Sequence, residues 1–541
     1  MKDKFFKSGE HWVWFNAGAI AISLVMVVSL VLFIAVKGLS HFWPADIVIF
    51  ETKLADGTIQ KSLGEVYDEE TPKGQDPAVA KQILLKTGNR DLYGLDFRWL
   101  KAKEIVGQSS RDDVLVIERR EWGNFYGFLK GVKFDGKEYS LDNPELYDKM
   151  EEAIDRATDI YGEIKDIEKD DIGSINYDLE QLRLERKRLQ LEEKDTPEAI
   201  AEIRAQEDVL KAEFEVQQAK MNALYDDANR DALMVESVDG KTLTVVASNI
   251  VMAFQPNNMG PLDKVGHYFT KIGEFIFDEP REANTEGGVF PAIFGTVMMV
   301  ILMSIMVTPF GVVAAVYLHE YAKQGFVTRL IRIAVNNLAG VPSIVYGVFG
   351  LGFFVYFLGG SIDDLFYPEA KPAPTFGTSG LLWASITLAL LTLPVVIVST
   401  EEGLSRIPKS IREGSLALGA TKIETLWRTV LPMASPAMMT GLILAIARAA
   451  GEVAPLMLVG VVKLAPTLPL DGNLPFIHLE RKFMHLGFHI YDVGFQSPNV
   501  EAARPLVFAT AFLLVLVIIL LNITAIKIRN RLREKYKSLE H

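Results

Sequence analysis

Six apolar runs constrain this chain more than anything else in it, because about 20 apolar residues in a helix cross about 30 Å of hydrocarbon. They lie near 17–36, 290–317, 336–358, 381–399, 438–462 and 506–526. Backbone groups inside a bilayer must pair within their own segment, so each run reads as a transmembrane helix. The first run passes into Val36-Lys37-Gly38 without the small-residue site of a cleaved leader, and is read as a retained span.

Charge is distributed unevenly around these runs. Residues 41–290 hold 32 Lys and Arg against 52 Asp and Glu, whereas the rest of the chain holds 24 against 17. An acidic hydrophilic block is therefore set into a basic membrane protein. The basic residues of the short segments fall at Lys2, Lys4 and Lys7; at Lys323, Arg329 and Arg332; at Arg406, Lys409, Arg412, Lys422 and Arg428; and from Lys527 to Lys537. An excess of Lys and Arg marks cytoplasmic loops. Both termini are accordingly expected in the cytoplasm of a multi-pass inner-membrane protein, with 41–285 outside. The chain has no cysteine, which excludes disulfides, thiol nucleophiles and Cys-ligated metals. No basic patch with interleaved aromatics stands out, so nucleic acid is not an expected partner.

The chain divides into residues 1–40, an external insertion 41–285 and a membrane core 286–541. Within the insertion, Asp56-Gly57, Asp135-Gly136 and Asp239-Gly240 are turn signals beside alternating or β-branched runs such as Val114 to Ile117 and Leu243 to Ile250. They predict a β module over 41–142 and 231–256. Between its parts, Leu146, Met150, Ala153, Ala157, Ile160, Ile164 and Ile167 alternate at gaps of four and three, and the pattern resumes from Ile172 with a register shift. A return arm carries Ile200, Ile203, Leu210, Phe214, Met221 and Leu224 after the helix-start signal Thr196-Pro197. An antiparallel coiled-coil hairpin over 143–230 is expected, free to project as an arm and used for protein docking.

The basic loop 401–432 carries the triplet Glu413-Gly414-Ser415, then Gly419, then Leu431-Pro432. Small residues at Gly414, Ser415, Ala417 and Ala420 permit close approach of another surface, and Gly419 lets the chain turn between two helical pieces. The next span carries Arg448 and Glu452, four apart and able to meet on one helix face. Charge at bilayer depth is expensive and marks a functional site by default. The pair either neutralises itself to hold a helix bundle in register, or lines a substrate path where a guanidinium offers forked donors to an oxyanion.

The loop pattern resembles the EAA loop of ABC importer permeases. The run Arg448-Ala449-Ala450-Gly451-Glu452-Val453-Ala454-Pro455, together with Leu338 to Gly347 and Ala314 to Tyr321, is similar to the phosphate-importer permeases, most closely those of PstA type. The resemblance covers the first span and about 286–537; Gly414-Ser415 in place of Ala-Ala and Thr429 in place of an aliphatic are departures. It implies the ABC importer permease fold, with Glu413, Gly414, Ser415, Gly419 and Ala420 meeting an ATPase and Arg448 and Glu452 on the substrate path. It also implies a PstC-type sister permease, a PstB-type ATPase dimer holding ATP and Mg, and a PstS-type external phosphate-binding protein, with inorganic phosphate as substrate. This chain itself would need no cofactor and would not be an enzyme. A permease for molybdate or sulfate is the near alternative, and a membrane-anchored adaptor or sensor the distant one.

Other motifs carry less. His319-Glu320-Tyr321-Ala322-Lys323 lacks the second His of a zinc protease, and Val235 stands where a phosphate-binding loop ending in Gly240-Lys241-Thr242 needs its first Gly. His478, His485 and His489 have few carboxylates nearby, and no metal site is assigned to them.

Overall fold

The computed structural model describes residues 9–54, 56–71, 81–323, 325–497 and 500–536. Lys2, Lys4, Lys7 and Lys537 lie outside them. Six helices are long and apolar enough to cross a membrane: His11–Phe42, Phe290–Tyr321, Ser343–Phe366, Leu381–Ser405, Lys422–Gly451 and Ala503–Arg531. The first, α1 (Glu10–Leu39), exposes its apolar side chains along nearly its whole length, as a lipid-facing helix does, and seats Gly38 against the Ala509 backbone.

Two expected spans have different ends. The run 336–358 is broken, because Ala339-Gly340-Val341-Pro342 separates an amphipathic helix (Phe326–Leu338) from a span that starts at Ser343 and reaches Phe366. Proline disfavours helical geometry in the residue before it, which ends one helix and opens the next. The run 438–462 stops as a helix at Gly451, and its start lies further back, at Lys422. Glu452 is extended at φ −82°, ψ 134°, three residues before Pro455.

Outside the spans lie two antiparallel sheets. One has five strands in the order β4-β3-β2-β1-β5: β1 (Ile47–Lys53), β2 (Ile59–Glu70), β3 (Gln82–Lys86), β4 (Phe97–Lys101) and β5 (Ile105–Ser109). The other contains β6 (Val114–Arg119), β7 (Phe125–Phe134), β8 (Lys137–Ser140), β9 (Ala232–Glu236), β10 (Thr242–Val246) and β11 (Ile250–Phe254). Its β7–β8 turn places Asp135 at φ 50° and Gly136 at φ 75°, the two left-handed residues that a tight hairpin requires. The run 243–250, read as one strand, divides at a short 3-10 turn (Ala247–Asn249), which carries the chain to the opposite edge of the sheet.

The insertion between β8 and β9 is helical: α2 (Leu146–Asp166), α3 (Ile172–Leu191) and α4 (Pro197–Ala228). A π-turn (Ile167–Asp171) joins α2 to α3 and absorbs the five-residue step from Ile167 to Ile172 seen as a register shift. Thr196 caps α4, its hydroxyl accepting from the Ala199 N–H at 3.3 Å. The hairpin does not project freely, however. It lies against loops of the membrane core, where Arg188 pairs with the buried Glu369 at 2.5 Å and the Tyr177 hydroxyl donates to the Leu474 carbonyl at 2.5 Å. Arg188 and Tyr177 thus give the polar residues of α3 a partner other than water.

A helix α5 (Pro261–Phe277) returns the chain to the membrane, and it is tied to the start of α6 (Phe290–Val316) by the Val289 N–H donating to the Phe275 carbonyl at 2.9 Å.

Candidate functional site

The basic loop 401–432 is built as an elbow. After the long helix α7 (Leu381–Ser405), Pro408 precedes α8 (Lys409–Ala417), Gly419 turns the chain at φ +87°, and Thr421 starts α9 (Lys422–Thr425). Thr421 and Glu424 form a reciprocal capping box: the Glu424 N–H donates to the Thr421 hydroxyl at 3.3 Å, and the Thr421 N–H donates to the Glu424 carboxylate at 2.9 Å. A π-turn (Leu426–Val430) leads into α10 (Leu431–Gly451), with Pro432 in its first turn. There the missing proline N–H falls inside the continuous span Lys422–Gly451, directly after the π-turn that changes the backbone pairing.

The five residues singled out in this loop divide by exposure. Glu413, Gly414 and Gly419 are exposed, and a Cβ added at Gly414 would meet nothing within 4 Å. Ser415 and Ala420 are half-buried and close the elbow, Ser415 through a 2.9 Å hydroxyl contact with Thr425 and Ala420 through its N–H to the Ser415 carbonyl at 3.3 Å. Around them the elbow presents large apolar side chains: Leu418 is 91% exposed, Trp427 75% and Ile423 69%. Its inner face is a core of Leu404, Ile407, Leu426, Val430 and Ala434, packed against Val316 at the end of α6.

Arg412 holds this elbow to the rest of the molecule. Its guanidinium donates to the Leu404 carbonyl at 2.7 Å and the Ile407 carbonyl at 2.8 Å, and it pairs with Glu320 at 3.0 Å. Lys422 reaches the Glu320 carbonyl at 2.6 Å from the other arm, and Arg332 spans from the Leu318 carbonyl to Glu401. The stretch Ala314 to Tyr321 is therefore a socket for the elbow. Sequence spacing does not find Arg412, Lys422 or Glu320, because the partners are far apart along the chain and each passes for an ordinary loop charge.

The charged pair stands at the other end of α10. Arg448 lies in its last turn, where the helix dipole favours a cation. Its Nε is 3.7 Å from Glu452 Oε1, longer than a hydrogen bond, and among the described residues the guanidinium has no hydrogen-bonded partner. The pair forms across the helix end and not along a continuous helix, and both side chains stay partly open, at 33% and 22% exposure. Ala437, Thr440, Leu444 and Arg448 recur at helical spacing on one face of α10. The first three line a cavity of about 470 Å³ with Ser399 and Glu402 of α7, and Arg448 stands one helical turn beyond them on the same face, outside the cavity's lining. Nearby, Gly347 approaches Pro455 so closely that an added Cβ would lie 2.7 Å from its Cα, which brings together two of the motif stretches.

The three histidines are apart in role. His478 sits between Asp471 at 2.8 Å and Glu480 at 3.1 Å; His485 accepts from the Gly487 N–H; and His489 meets the Thr510 hydroxyl.

Residues 307–534 match the family described as binding-protein-dependent transport system inner membrane component. A phosphate transport system permease protein PstA of Mycobacterium leprae is 39% identical over 194 residues, 36% of this chain and 58% of that protein. Less than two thirds of that relative's length is thus covered. PstA 1 of Mycobacterium tuberculosis strain CDC 1551 is 35% identical over 248 residues, 45% of this chain and 71% of that protein. An inward-facing MetNI methionine ABC transporter structure aligns at 19% identity and TM-score 0.33, over 44% of this chain and 94% of that one. The chain belongs to the family of ABC importer inner-membrane components. Within it, the chain is one of the permeases of PstA type.

Proposed function

We propose that this chain is a transmembrane subunit of an ATP-driven importer of inorganic phosphate, coupled to a separate ATPase through the elbow at Glu413. The observation that carries the reading is the partly open guanidinium of Arg448, one helical turn beyond the α7–α10 cavity, with fork donors unspent on protein partners. Glu452 keeps it oriented without saturating it, and the relatives named above are phosphate permeases. On the cytoplasmic side, Leu418, Ile423 and Trp427 offer the apolar surface that a fitted protein contact needs, with Glu413, Gly414 and Gly419 as its open backbone and Ser415 and Ala420 as its hinge.

In this mechanism ATP-driven closure of the ATPase pair pushes on α8 and α9. Arg412 and Lys422 pass the motion to the end of α6, and α10 tilts so that Arg448 faces each side in turn. ATP and Mg belong to the ATPase, and this chain contributes no cofactor site. The partners of this reading are a sister permease of PstC type, a PstB-type ATPase dimer and a PstS-type binding protein, with both termini of this chain in the cytoplasm. The units 1–40, 41–285 and 286–541 keep separate roles, and α2 to α4 pack as an antiparallel coiled coil within the external one.

The test is uptake into proteoliposomes carrying the copurified complex. Saturable, ATP-dependent phosphate uptake that molybdate and sulfate do not replace supports the reading. Preference for another oxyanion refutes the substrate, and copurification without an ATPase refutes the class.

A further inference from the structure

Between the β sheets and the outer ends of α1 and the last helix, α11 (Val500–Tyr536), lies a cavity of about 270 Å³ that the transport reading does not use. Its wall is strongly charged, and most of the charges answer one another. Lys271 pairs with Glu118 at 2.5 Å and Glu274 at 2.7 Å, while Arg90 pairs with Glu282 at 2.8 Å and Asp96 at 3.7 Å.

Four groups are left over. Among the described residues, the side chains of Lys86, Glu65 and Glu286 make no hydrogen bond or ion pair, although Glu65 stands opposite Lys86 in the β2–β3 ladder and Glu286 opposite Arg281 in a two-residue ladder; the Arg281 side chain reaches only Glu118, at 3.9 Å, with its buried Nε unpaired. All four line the cavity. Burial pushes Glu65 and Glu286 above the ordinary carboxylate range. The same burial opposes the charge of Lys86, but Tyr126, Glu65 and Glu286 outweigh it and hold the ammonium charged.

Unpaired ionisable groups in a protein interior are costly unless something in the space between them completes the pairing. Two cations and two carboxyls facing one cavity match neither a plain anion nor a plain cation, because each would meet as much repulsion as attraction. They match a molecule carrying both charges.

We infer that this cavity binds a zwitterion in which an oxyanion sits against Lys86 and Arg281 and a primary ammonium sits against Glu65 and Glu286. A phosphoethanolamine group is of this kind. The cavity also opens onto Phe42 and Leu506 at the outer ends of membrane helices, with Phe275 of α5 beside them, the level at which an aminophospholipid headgroup lies with its chains in the leaflet. A bound headgroup would tie the external sheets to the outer leaflet.

The experiment uses the full chain purified in detergent, with phosphoethanolamine, inorganic phosphate and ethylammonium as separate probes in a thermal-shift titration. Native mass spectrometry of the same sample reads lipid carried through purification. The expected result is a saturable rise in melting temperature with phosphoethanolamine alone, lost in Lys86→Met and in Glu286→Gln. The doubly neutral Lys86→Met/Glu65→Gln removes one charge of each sign, so it keeps the balance of the cavity and shows that loss of binding is not loss of folding. Copurified phosphatidylethanolamine that disappears in Lys86→Met identifies the leaflet as the source; binding of the free probe without copurified lipid supports a soluble zwitterion. An equal shift with phosphate alone, or no shift with any probe and no retained lipid, overturns the inference and leaves a cavity filled by water.

Discussion

Replacing Arg412 by Met keeps most of the aliphatic stem and removes the guanidinium that seats the elbow. Three contacts are lost together: two charge-assisted hydrogen bonds to the Leu404 and Ile407 carbonyls at the end of α7, and the ion pair with Glu320. The side chains of Arg412 and Glu320 are 17% and 12% exposed, so the remaining carboxylate is largely cut off from water and keeps only the His319 ring nitrogen, at 3.0 Å, as a side-chain partner. Breaking a buried pair by removing one partner costs about 3–5 kcal/mol, most of it the penalty on the charge left behind. At about 1.4 kcal/mol per tenfold, the equilibrium for seating α8 against α6 falls by at least about 10²-fold. Amide hydrogen exchange across 409–417 in the reconstituted protein should accelerate by that factor, and phosphate taken up per ATP hydrolysed should fall while ATPase activity persists. Arg412→Met/Glu320→Gln should recover much of the exchange protection, because no unmatched charge remains. Unchanged exchange in the single variant, or no recovery in the double, would refute the assignment of Arg412 as the clamp.

Glu413→Lys should leave the chain inserted but lower uptake per ATP at least tenfold, since it reverses the charge at an exposed contact; normal coupled uptake at matched expression speaks against the elbow as the ATPase contact. Arg448→Gln should abolish uptake, and Arg448→Gln/Glu452→Gln should not restore it; recovery in the double variant would reduce the pair to a structural one. The absence of cysteine permits a clean tether between the hairpin and the membrane core. Arg188→Cys with Glu369→Cys, joined by a short bismaleimide, should slow uptake several-fold without loss of folding, and wild-type rates in the tethered protein would show that this contact stays closed throughout the cycle.

Local chemistry was legible wherever a few adjacent residues decide the backbone. Gly419 is left-handed as a turn between helices demands, Thr196 caps the helix after it, and Asp135-Gly136 forms a tight hairpin. The helix breaks were not, because apolar composition continues through them. Gly340 to Pro342 interrupts a run whose hydropathy does not change, and the residues from Glu452 to Val462 stay apolar enough to pass for a helix that has already ended at Gly451. Proline was the available signal in both places. The elbow's motif was visible in sequence and its socket was not: Arg412 meets Glu320, and Arg332 meets the Leu318 carbonyl, only once the helices have packed, and no spacing rule reports that.

The contact between the hairpin and the membrane core has energetic consequences for the transport cycle. Glu369 precedes α7, and Leu474 lies in the loop that follows α10, so α3 touches the outer connections of the two helices that carry the elbow between their inner ends. A motion at the elbow that tilts α7 and α10 must move these connections or strain them against α3. The ties differ in strength from the inner clamp. Arg188 is 57% exposed and rehydrates when it lets go, whereas Glu369 keeps only 3% exposure, so this pair lies between the about 0–1 kcal/mol of a surface bridge and the cost of breaking the Arg412 pair. The Tyr177 hydrogen bond adds about 1 kcal/mol. Contacts of that size are made and broken at thermal energies, whereas the inner clamp is not. The inner end is therefore suited to transmit force rigidly, and the outer end to release and recapture the loops as the spans tilt.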